Sequence, residues 1–307
     1  MKKFFSDFIV YTVLMVPVPI GSCTSCTDEP EPEVCPDPAP YMATFTAVDY
    51  RPAPGQFINE LPEATSKTTQ ATINEDVRIK LNEGELISLG SLGGSVTMTL
   101  SRPIYNSATQ RADFIVLGNA YITSVDNYVT YGSAEPGIVY VMEDTNGNGL
   151  PDDIWYALRG QDWDKVREVT VTYTVPEQPM ADRWVDWTLS DGTSGDFDLH
   201  TSHKHSYFPL WEKTDTLTFT TLMIPRNGSY DADSGRYRQI CLWGYADSYP
   251  NNSEQAALSL DDAIDENGNP VFILKADFIK VVSAVLQSNG PMGECSTEVG
   301  GIKVLHD

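Results

Sequence analysis

Apolar and polar residues alternate in short runs along most of the chain. Residues 95–100 read SVTMTL, 137–142 GIVYVM and 168–175 EVTVTYTV, and the segments 113–117, 216–221, 238–243 and 277–282 carry the same pattern. A period of two places successive side chains on opposite faces, and β-branched and aromatic residues suit a pleated, half-buried surface. Gly, Asn, Asp and Pro separate the runs, as turns between antiparallel strands require. One stretch, 75–86 (EDVRIKLNEGEL), predicts a short helix instead. The pattern as a whole predicts an all-β protein. A two-sheet β-sandwich or jelly roll with one short helix and long loops is the expected form, since that stacking buries one face of every strand.

The N-terminal residues break this pattern. Lys2 and Lys3 precede an apolar run that Pro17 and Pro19 interrupt, and Ile20-Gly21-Ser22-Cys23 closes it with small residues before a cysteine. The run is too short for a membrane span and reads as a secretory signal over residues 1–22. The Ile-Gly-Ser-Cys ending resembles a bacterial lipoprotein signal, which implies lipidation at Cys23, with Cys26 as the other candidate. Residues 23–40 are acidic and Pro-rich and read as an extended tether. No second linker interrupts residues 41–307, which are expected to form a single β-sandwich domain.

Composition narrows the chemistry. The chain has 307 residues, 41% of them hydrophobic, enough for a sizeable core. It carries 43 Asp and Glu against 20 Lys and Arg, a net charge of −23. That balance excludes nucleic acid as a partner, because phosphate contacts need clustered cations. It also excludes lying flat on an anionic membrane, so contact with a membrane is expected only through a lipid anchor. Five cysteines are too few for a disulfide scaffold, and Cys241 and Cys295 read equally well as a pair or as separate buried thiols.

The sharpest local motif is Asp144-Thr-Asn146-Gly-Asn148-Gly149-Leu150-Pro-Asp152-Asp153. Oxygen-bearing side chains fall at positions one, three, five and nine, glycine at six, and the Leu150 carbonyl is available at seven. This is the spacing of a loop wrapped round Ca2+, which takes six to eight oxygens. Position twelve is Trp155 rather than a bidentate Glu, so Asp153 or another segment must complete the set; the same string is also an Asn-Gly turn. Asp265, Asn267 and Asn269 give a weaker echo and read as a turn. His200, His203 and His205 crowd together, and on a strand His203 and His205 would share a face able to take zinc or copper, although a polar strand or loop accounts for them.

Aromatic residues cluster as well. Trp155, Tyr156 and Trp163 follow the calcium-like loop. Trp243, Tyr245, Asp247 and Tyr249 combine flat rings with a carboxylate, and rings stack on sugar faces while carboxylates hold hydroxyls. These four are the expected ligand-binding residues. No nucleophile elbow, zinc-protease helix or reactive Cys–His pairing is present, and with so many carboxylates some glycosidase-like pair always exists. No catalytic residue is assigned, and the chain leans towards a non-enzyme.

Several strings together carry a resemblance: Tyr50-Arg-Pro-Ala-Pro-Gly-Gln-Phe57, residues 89–94 and 114–120, Ser133-Ala-Glu135-Pro136-Gly-Ile-Val139, residues 144–153 with Trp155-Tyr156, residues 243–251 and residues 294–300. They resemble a family of Bacteroidetes cell-surface lipoproteins, often labelled PKD-domain-containing or "cell surface protein", over most of residues 45–307. A broader similarity is to galactose-binding-type jelly rolls. The resemblance implies a β-jelly roll, calcium in a loop and an outward-facing, lipid-anchored place in the outer membrane. The expectation is a surface lipoprotein that binds a glycan or another small nutrient beside an outer-membrane transporter complex. A structural or adhesive surface protein and a surface glycoside hydrolase or lyase are the alternatives.

Overall fold

The computed structural model describes residues 39–108, 112–175, 183–198, 200, 202–231, 236–289 and 293–306. The secretory signal, Cys23, Cys26, Cys35 and nearly all of the tether lie outside the described residues. Residues Asp37–Asp307 form one compact unit.

The protein is all-β, with one α-helix among the described residues. Each of the seven alternating runs overlaps a strand, namely Ser95–Tyr105, Phe114–Val116, Gly137–Met142, Arg167–Thr174, Thr216–Met223, Arg236–Ile240 and Lys275–Ser283, although the run 238–243 leaves its strand after Ile240. The strands do not make two facing sheets. Among the described residues they form one six-stranded sheet, three four-stranded sheets and one two-stranded ladder, every pair antiparallel and the sheets disposed like propeller blades rather than as a sandwich or jelly roll. The reason is that alternation reports which face of a strand is buried and is silent on its partner. The strands are not uniformly half-buried either. Gly137–Met142 is buried on nearly every residue, whereas Tyr121–Asp126 is exposed throughout. A fully buried strand reads as a continuous apolar run, so its second face has to be covered by something other than solvent.

The six-stranded sheet runs in the order Ala263–Ile264, Tyr156–Leu158, Gly137–Met142, Lys275–Ser283, Ser95–Tyr105, Phe45–Arg51. Lys275–Ser283 lies between Gly137–Met142 (Val281 opposite Val139) and Ser95–Tyr105 (Val281 opposite Val96). The helix, Gln70–Glu83, covers the far edge. Ile73, Val77 and Leu81 recur every fourth residue and share one buried face, within the main core. Its polar residues close the edge strand: Asn74 accepts from the Tyr50 amide, and Asn82 both accepts from and donates to the Phe45 backbone. The helix begins five residues earlier than the sequence pattern predicts. Thr69 and Thr72 form a capping box, a threonine version of a signal usually sought in Glu or Gln at the third position. It ends at Gly84, whose φ of 76° is the left-handed conformation that stops a helix, so Glu85 and Leu86 fall outside.

Candidate functional site

A cleft forms where the six-stranded sheet meets two loops. Tyr140 sits on Gly137–Met142, opposite Ala157 on one neighbouring strand and Lys280 on the other. Trp155 stands just before the strand Tyr156–Leu158, and its ring lies over the Lys280 ammonium, 4.4 Å from centroid to nitrogen; the Tyr140 ring is 5.0 Å from the same nitrogen. This cation–π contact holds both rings in place. Burial of Lys280 lowers its pKa, and burial together with the Glu168 charge pushes the Tyr140 hydroxyl up to about 12. Trp163 enters from the short turn Trp163–Lys165.

The second loop carries Asp265, Asn267 and Gly268. Asp265 accepts from the Asn267 and Asn269 amides, Gly268 takes a φ of 78°, and Arg159 donates to the Gly268 carbonyl at 2.7 Å. The weak calcium echo in the sequence is thus a braced turn at the edge of a cleft. The space enclosed is about 490 Å³, walled by half-buried Tyr140, Trp155 and Trp163 and edged by Glu168, Asp265, Glu266 and Asn267. Flat apolar walls with a few convergent acceptors suit a small hydroxylated ligand.

The loop 144–153 precedes this cleft directly. The Asp144 carboxylate accepts from the Gly147, Asn148 and Gly149 amides, and its own amide donates to Asp277 on the central strand. Asn146 and Asn148 both donate to Asp152, Asn148 accepts from the Leu150 amide, the Leu150 carbonyl accepts from the Asp152 amide, and Thr145 donates to Asp153. Three carboxylates, two amide oxygens and a carbonyl are thereby drawn into one exposed turn, a donor set that fits calcium.

The four residues expected to bind ligand do not share a face. Trp243 is exposed, but Tyr245 is a core residue: its hydroxyl donates to the Gln161 carbonyl, and its ring packs so closely on Gly160 that a Cβ there would lie 2.5 Å away. Asp247 is buried and accepts from the Asn119, Ala120 and Glu298 amides. Tyr249 borders a different recess of about 250 Å³. The aromatic-polar string does not display its side chains as a surface loop would, because packing and hydrogen bonding turn Tyr245 and Asp247 inward. Cys241 and Cys295 are free buried thiols.

Two groups of ionisable side chains escaped the sequence pattern because their members lie far apart in the chain. Glu60 joins the histidines: its two carboxylate oxygens lie 2.9 Å from His203 Nδ1 and 3.0 Å from His205 Nδ1, while His205 Nε2 lies 3.0 Å from the Ile58 carbonyl. The second group is Glu135, Asp247 and Glu298, with Glu294 nearby. Burial raises all four, Asp247 to about 6 and Glu294 to about 7; in Glu135 and Glu298 neighbouring negative charges add to it. Glu135 opens on a second cleft of about 290 Å³ that also reaches His200, His203, Phe57 and Tyr121. A usable sequence signal was the placement of Glu294 and Glu298 in a run of small and apolar residues, where a carboxylate is out of keeping with its surroundings.

No protein-family model matches this chain, and no curated protein matches it.

Proposed function

We propose that this protein is a non-catalytic, lipid-anchored protein of the outer cell surface that binds a glycan, through the sugar units it presents to the cleft of Tyr140, Trp155 and Trp163. One observation carries the reading: three half-buried rings wall a single cleft whose rim bears carboxylates and an amide. A pyranose has apolar faces for the rings and equatorial hydroxyls for Glu168, Asp265 and Asn267. The expected site therefore moves from Trp243–Tyr249 to this cleft. The loop at Asp144 is proposed to take calcium as a brace, because it ties the cleft's approach to the central strand through Asp277.

The test is a thermal-shift panel of oligosaccharides on the full chain, followed by titration of the best hit. A ligand that binds only the folded state raises the melting temperature with its occupancy. Trp155→Ala and Trp163→Ala should each weaken binding about three- to tenfold, the scale of a lost ring stack, while Trp243→Ala should leave it unchanged. Equal affinity in all three variants removes the cleft as the site. For the anchor, labelled palmitate should enter the wild-type chain and not Cys23→Ala; labelling that survives in Cys23→Ala and is lost in Cys26→Ala moves the anchor to Cys26.

A further inference from the structure

We propose that Glu135, Asp247 and Glu298 form a second cation site, distinct from the loop at Asp144, which takes a hard divalent ion, calcium in preference to magnesium. The three carboxylates come from separate parts of the chain, yet each presents an oxygen within 4.8 Å of the others. Oxygens on opposite sides of a calcium ion, bound at about 2.4 Å each, are separated by about that distance.

Glu298 is the observation that points to a ligand rather than to a mere crowd of acids. It is 1% exposed, and neither of its carboxyl oxygens has a hydrogen-bond partner of ordinary geometry, the Ser88 hydroxyl and the Glu135 and Asp247 carboxyls being its nearest polar neighbours. A buried carboxylate left in that state is costly unless something positive or a proton meets it. Among the described residues no Lys or Arg pairs with any of the three. Backbone amides meet Asp247 and Glu135 and the Ser88 hydroxyl meets Glu298, but the charged groups that face the set are carboxylates.

Its geometry is held from outside. Asp247 takes a left-handed φ of 51° and is pinned by three backbone amides, two on one oxygen and one on the other. Gly118 lets the backbone approach: a Cβ there would fall 2.3 Å from the Asp247 carboxylate. Glu135 accepts from the Ser296 amide, and its half-buried position at the second cleft gives an ion its way in and leaves room for water on its outer side. A set made only of carboxylate oxygens suits hard cations over zinc or copper. Three carboxylates on separate elements, which can bind through one oxygen or two, suit calcium's irregular shell better than the strict octahedron of magnesium.

The experiment is calorimetric titration of CaCl2 into the full chain after chelator treatment, in wild type, Asp144→Ala and Glu298→Gln. Asp144→Ala should still bind one calcium ion per chain, and Glu298→Gln should bind one fewer than wild type. In melts, calcium should raise the melting temperature of Asp144→Ala but not that of the double variant Asp144→Ala/Glu298→Gln. Should Glu298→Gln fail to fold, Glu135→Gln at the cleft mouth takes its place with the same expected loss. The proposal is overturned if Asp144→Ala binds no calcium at millimolar concentration, which would mean the carboxyls share protons instead, or if the Glu298 and Glu135 variants both keep the wild-type stoichiometry. Tighter binding of MgCl2 than of CaCl2 would overturn the choice of ion.

Discussion

Tyr245 and Asp247 stand two positions apart in what the sequence presents as one aromatic-acidic string, and folding separates their roles. The Tyr245 ring is consumed by packing on Gly160, and Asp247 by three amides and a carboxylate cluster. Sequence shows that such residues are present but not which way they face, because orientation is decided by partners such as Asn119 and Glu298 from remote segments. The buried carboxyls have a measurable consequence. An unfolded Asp or Glu titrates near 4, whereas folded Asp247 and Glu294 titrate at about 6 and about 7. Between those values the folded state holds protons the unfolded state has released, so stability is fully present below about pH 4 as far as these groups are concerned. It is lost as pH rises to about 7. In chelator, melting temperature should therefore fall between about pH 5 and pH 7.5, and Glu294→Gln should flatten the slope. Melts that rise over the same window in chelator would contradict the raised carboxyls.

At the scale of elements the sequence was most legible. All seven alternating runs overlap strands, because a period of two in β-branched residues is a local property, and only 238–243 runs well past its strand, which ends at Ile240. The helix was found but displaced, since its start rests on hydroxyl caps at Thr69 and Thr72 and its stop on a single left-handed glycine. The loop 144–153 was legible too, as a turn whose carboxylates accept from its own backbone and side-chain amides. Its amide contact with Asp277 links it to Lys275–Ser283, so loosening the loop is felt in the sheet. Chelator should lower the wild-type melting temperature, and Asp144→Ala should reproduce part of that loss; differential scanning calorimetry with and without calcium checks both. A loop that needs no cation would melt alike in the two conditions.

The arrangement of the whole molecule was the least legible. Strand faces can be read from a window of six residues, but the sheets are assembled from segments remote in the chain: Ile302–Val304 lies between Tyr41–Met42 and Phe114–Val116, and the Asp144 amide reaches Asp277 across 133 residues. That joining of remote segments predicts an outsized effect of a small deletion. Removing residues 302–307 takes away Ile302 and Val304, both buried, leaves Tyr41–Met42 without a partner strand and leaves Phe114–Val116 paired on one side only, with Ala257–Leu258. The shortened chain should lose its cooperative melting transition by circular dichroism, whereas removing residues 39–42 should only lower the midpoint.

Lys275–Ser283, inside the six-stranded sheet, leaves the ribosome well after the two strands it joins. Its two neighbours, Ser95–Tyr105 and Gly137–Met142, are made long before it and have no direct pairing with each other to fall back on. At translation rates of 5–20 residues per second they wait on the order of ten seconds for the strand that joins them. During that interval the nascent chain has no finished core, a state in which it can still be threaded through a narrow channel and in which its apolar strands need a chaperone's cover.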